Sequence, residues 1–183
     1  MATALDVTER PFERPTTNFN RAVERLLRLF PSRPLERADV ESLQARAVQT
    51  FIELGAAPAV LKRAVTRTPW ELSPEEAPSD AWGGEVLMRS DGRPSRVVIY
   101  GRSPLTRLPS RRILRLASQL TVDHMLGHLY EYHCGAADWG EEPACRWQYR
   151  VLRRRGGLVN DLTAAIMVLT HRLHKDIPIS NYG

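Results

Sequence analysis

The sequence predicts an α+β domain. Two observations carry that expectation. Apolar residues recur at helical spacing in several segments, and two short apolar runs flank an Asp-Gly turn. The chain has 183 residues, 43% of them hydrophobic and 26% charged, which is globular composition. No apolar run approaches the roughly 20 residues that cross a bilayer. No basic stretch followed by an apolar one opens the chain. Two cysteines, Cys134 and Cys145, are too few for a disulfide scaffold. A soluble, cytoplasmic protein without a membrane partner is expected. Lys and Arg number 26 against 21 Asp and Glu, a net +5, and every basic residue except Lys62 and Lys175 is arginine. An excess this modest reads first as the arginine usage of a GC-rich genome.

The elements follow in order. Residues 1–18 are poor in apolar side chains and carry Pro11 and Pro15, which predicts an irregular arm ahead of one domain over 19–183. Asn18 or Asn20 caps a short helix, Arg21 to Phe30, ended by Pro31 and Pro34. Val40, Leu43, Ala47, Val48, Phe51 and Leu54 predict a helix over 35–54, with Gly55 at its C-terminal end. Residues 59–65 form a further short helix or a bridge into a strand. Three prolines make 66–81 a loop, with one strand at its start. Residues 85–88 and 96–100 form a hairpin, because Asp91-Gly92 supplies the positive φ of a tight turn. Residues 101–108 are a loop. Ser110 caps the strongest helix, 111–132, which Cys134-Gly135 ends. Helices over 142–153 and 158–174 follow, the first closed by Arg153-Arg154-Arg155-Gly156-Gly157.

The chemistry concentrates in one stretch. His124 and His128 stand at i and i+4 of a helix, so both imidazoles share one face and reach one Zn²⁺. A third ligand must come from downstream, and His133, Glu141 and Glu142 are the candidates. A mixed site that adds Cys134 and Cys145 to His128 or His133 is a further arrangement.

Val122-Asp123-His124-Met125-Leu126-Gly127-His128 resembles the V-x-H-E-x-G-H helix of zincin metallopeptidases. Glu141-Glu142-Pro143-Ala144-Cys145-Arg146-Trp147 resembles the E-x-x-A-[DN]-x-[FW] helix of their gluzincin branch, the ImmA/IrrE-type peptidases. The resemblance covers about residues 85–152. It implies a zincin-like metal-site core at 85–152 with a small sheet against the metal helix; the apolar periodicity adds a helical part at 19–66 and a C-terminal helix at 158–175 to the same domain. It implies zinc on His124, His128 and Glu141, with His133 or Glu142 as alternative third ligands. It also marks two departures. The family's catalytic glutamate is Met125 here, and a thioether takes no proton from water. The family's Asp or Asn of the second motif is Cys145. A metal-binding, degenerate metallopeptidase-like protein is therefore expected, acting on or binding a protein or peptide. If it is active, the reaction is metal-assisted hydrolysis of a peptide bond, with Glu131, and less so Asp123, as the substitute base.

Two alternatives stand beside this. The YbeY-type endoribonucleases carry H-G-x-x-H with a third histidine six residues on, and His133 here comes after five. A non-enzymatic module would bind protein or nucleic acid through two arginine clusters, Arg107, Arg111, Arg112 and Arg115, and Arg150 and Arg153–Arg155.

Overall fold

The hairpin is where the sequence places it. In the computed structural model β3 (Gly84–Met88) and β4 (Pro94–Arg102) pair antiparallel, with Val86 opposite Val97 and Glu85 opposite Val98. Gly92 takes φ +79° in the turn, and the Asp91 side chain accepts the Arg93 N–H at 3.0 Å. The structure describes residues 10–11, 25–27, 29–78, 83–108 and 110–173, and the side chains of these except 10–11 and 166–173. Most of the expected arm, half of the 21–30 helix, Trp82 and the residues from His174 on lie outside them, while residues 25–27 of that expected helix are helical.

Two further strands complete the sheet, in the order β1-β3-β4-β2. β1 (Arg10–Pro11) lies antiparallel on β3, so the expected irregular arm contributes at least these two residues to the sheet. β2 (Trp70–Glu76) corrects the expectation of a loop with one strand at its start. It is a seven-residue strand running parallel to β4. Pro74 is compatible with it because an edge strand pairs on one side only, and the register shifts between Ser73 and Glu76. The expected loop after the hairpin is also shorter, since β4 runs to Arg102 and Leu105–Arg107 form a 3₁₀ turn.

The helices described over their full length are α1 (Arg37–Glu53), α2 (Pro58–Arg67), α3 (Arg111–Cys134), α4 (Glu141–Arg155) and α5 (Leu158–Leu173). The 59–65 segment is thus a helix. Strand alternation gives the sheet two apolar faces. Val86, Met88, Val97 and Ile99 join one core with Phe51, Leu61, Met125, Leu126 and Trp147. Val98 and Tyr100 form a second cluster on the opposite face, where the Tyr100 hydroxyl donates to the buried Glu85 carboxylate. The structure is α+β.

α3 is the central element, packing on β3, α1, α2 and α4. Its second half is enclosed this way, and every residue from Val122 to Leu129 is buried. The closest approach is to α4. A Cβ on Gly127 would stand 3.0 Å from the Ala144 Cα and 3.3 Å from its carbonyl oxygen, so any side chain there requires α4 to give by a few tenths of an ångström.

Candidate metal centre

The buried stretch of α3 contains three polar side chains, Asp123, His124 and His128, and each needs an internal partner. Asp123 finds one on the side away from the histidine pair. Its carboxylate, 0% exposed, accepts two bonds from the Arg155 guanidinium at 2.6 and 3.0 Å and one from Gln119 Nε2 at 3.0 Å. Arg155 also donates to Thr50 Oγ1, so this pair ties α3, α4 and α1 together. Burial raises the Asp123 carboxyl above its ordinary pKa, against the opposing pull of Arg155.

His124 and His128 turn the other way, one turn apart, with rings perpendicular and 4.7 Å between centroids. The α3–α4 contact at Gly127 and Ala144 sets what they meet. Glu141 precedes Ala144 by one helical turn and is therefore carried onto the pair. Its Oε2 lies 3.1 Å from His124 Nε2, its Oε1 lies 3.4 Å from His128 Nε2, and the two Nε2 atoms are 3.1 Å apart.

These separations fit a metal. Ligand atoms at about 2.0–2.1 Å from a tetrahedral Zn²⁺ are about 3.3 Å from one another. The tautomer fits as well. His128 Nδ1–H donates to the Trp139 carbonyl at 2.8 Å, which leaves the lone pair on the convergent Nε2. His124 Nδ1 faces the buried Cys145 thiol at 4.0 Å. Burial pushes the Glu141 carboxyl upward, but the two imidazoles outweigh it and hold the group far below the usual carboxylate range. The donor set is thus a carboxylate and two imidazole nitrogens in one buried group that could hold a metal ion.

The other candidate ligands lie elsewhere. His133, at the end of α3, has Nε2 3.5 Å from Thr68 Oγ1. Glu142 is rotated one residue around α4 and accepts from Arg146 at 2.9 Å. Cys134 is exposed. Of the two carboxylates considered as substitute bases, Asp123 is paired with Arg155 and Glu131 accepts the Trp147 indole N–H at 2.6 Å. Trp147 in turn stacks on Phe51 at 4.6 Å, as a core residue.

A cleft of about 250 Å³ opens beside His124, lined by Met125 with Leu105, Leu120, Thr121 and Gln148. No carboxylate of the described residues lines it. Met125, next to His124 in the chain, is 1% exposed.

The Asp123–Arg155 pair went unforeseen because 32 residues separate its members. The signal was present, since a carboxylate inside an apolar helical stretch requires a partner. The second arginine cluster is largely occupied within the fold. Arg153 pairs with Asp161, Arg154 with Glu53, and Arg150 lies over the Trp147 ring. Arg107 of the first cluster pairs with Glu76.

Neither models of protein families, nor curated proteins, nor solved structures yield a match to this chain.

Proposed function

We propose that this is a zincin-like zinc-binding protein that engages a peptide segment without cutting it. The observation that carries the reading is the convergence of His124, His128 and Glu141 to within 3.1–3.4 Å, beside a cleft whose base position is Met125. Glu141 supplies the negative charge of the ligand set. The His128–Trp139 bond orients one imidazole. Bound zinc supplies a Lewis acid that polarises water or a carbonyl. Among the described residues the cleft offers no carboxylate to take the proton in peptide hydrolysis, and the thioether of Met125 cannot take it. Leu105, Leu120 and Met125 instead suit an apolar side chain of a bound peptide.

The test is hydrolysis of a mixed fluorogenic peptide library by protein supplied with one equivalent of zinc. The expected result is no cleavage in the wild type. Cleavage that a chelator abolishes, and that Glu131→Gln also removes, would show an active peptidase with a substitute base and would overturn the non-cutting reading.

A further inference from the structure

A second cleft, of about 330 Å³, lies on the opposite side of α3, between α1, α3 and the α4–α5 junction. Four arginines line it: Arg46, Arg112, Arg115 and Arg155. Arg155 is neutralised by Asp123 beneath it. Arg46, Arg112 and Arg115 form no ion pair among the described residues, and all three are exposed. Asp39 is the one carboxylate of the described residues on the wall, and it already caps the start of α1 by accepting the Glu36 N–H. The cleft therefore carries an excess of positive charge, which attracts an anion.

The floor adds a second, independent observation. Gln119 is 2% exposed, and its Nε2 is fixed between the Leu43 carbonyl at 2.9 Å and Asp123 Oδ1 at 3.0 Å. Its Oε1 then has no partner among the described residues. Asn160, half-buried, shows the same pattern. Its Nδ2 donates to the Gly156 carbonyl at 2.7 Å, and its Oδ1 has no partner among the described residues. Arg155 Nε is an unmatched donor at the same place. Buried polar atoms ordinarily have partners. Here two acceptors and one donor lie beneath a basic rim.

We propose that this cleft binds a small phosphorylated ligand carrying hydroxyl or amino donors, the chemistry shared by sugar phosphates and nucleoside monophosphates. Arg46, Arg112 and Arg115 take the phosphate by charge-assisted bonds. The ligand's donors meet Gln119 and Asn160. A bounded cleft suits a compact anion better than a nucleic-acid strand. A strand needs a continuous basic track, and the neighbouring arginines 107, 153 and 154 are already paired.

The test is calorimetric titration of the whole protein with AMP, ribose 5-phosphate, inorganic phosphate, adenosine and a single-stranded oligonucleotide. AMP or ribose 5-phosphate is expected to bind at one site, at least about tenfold tighter than inorganic phosphate, with adenosine silent. Each arginine removed costs about tenfold, since a charged hydrogen bond contributes at least that much. Arg46→Ala/Arg112→Ala/Arg115→Ala abolishes binding without unfolding the protein, because all three side chains are exposed. His124→Ala/His128→Ala, which removes the metal ligands, leaves binding unchanged. The proposal is overturned if no phosphate ligand binds saturably, if the triple arginine variant binds as wild type, or if only the oligonucleotide binds with a steep salt dependence.

Discussion

Gly127→Ala tests whether the approach of α3 and α4 sets the ligand geometry. The new Cβ meets the Ala144 Cα at 3.0 Å, and that atom is backbone, so α4 must retreat. Ordinary contact begins near 3.4 Å, which makes the retreat at least about 0.4 Å. Glu141 lies one turn away on the same helix, and its 3.1 and 3.4 Å separations from the imidazoles lengthen accordingly. Alanine gains about 1 kcal/mol of helix propensity over glycine. Overpacking costs about 1–3 kcal/mol. Folding stability therefore falls by about 0–2 kcal/mol, and the fold survives. Zinc affinity falls further, by about 10–100-fold, the range seen when the supports of metal ligands are disturbed. Competition against a chromogenic chelator at pH 7.5 reads the affinity, and urea unfolding of the metal-free protein reads the stability. Wild-type zinc affinity in a folded variant would refute the argument that this close contact positions Glu141.

Other outcomes follow from the same geometry. Asp123→Asn strands the Arg155 guanidinium, 8% exposed, as an uncompensated buried charge, and urea unfolding should show a loss of about 3–5 kcal/mol. Arg155→Ala removes the group that opposes the upward shift of the Asp123 pKa. A carboxyl raised in the folded state is most favourable protonated and loses stability as pH rises through its folded-state value, so this variant's deficit should shrink as pH falls toward the ordinary Asp range. Cys145→Asp replaces a weak partner 4.0 Å from His124 Nδ1 with a carboxylate, and zinc affinity by chelator competition should rise about tenfold. Zinc affinity should fall on acidification, because protons compete with the metal for its ligands.

The sequence made the hairpin, the central helix and the histidine pair legible because each rests on a local signal. Asp91-Gly92 marks the turn, helical periodicity marks α3, and i, i+4 spacing marks the pair. β2 was read only in part because Pro74 and its acidic neighbours resemble a loop, and its parallel pairing with β4 is a long-range contact. The third ligand depended on rotation about α4, where one residue is about 100°. That rotation carries Glu141 to the histidines and Glu142 to Arg146, and His133 lies at the helix end beside Thr68. One cue was available. Glu141, Ala144 and Trp147 recur every three residues, and Ala144 is the small residue that Gly127 on α3 requires of its neighbour.

The most direct test is metal content by mass spectrometry of untagged protein, measured for wild type, His124→Ala/His128→Ala and Glu141→Gln. The wild type should carry about one zinc per chain. The double variant should carry none, and Glu141→Gln, which keeps the shape but loses the charge, should retain little after dialysis. A wild type that neither contains zinc nor takes it up when supplied, or a double variant that binds it equally well, would contradict the assignment of His124, His128 and Glu141 as a metal centre.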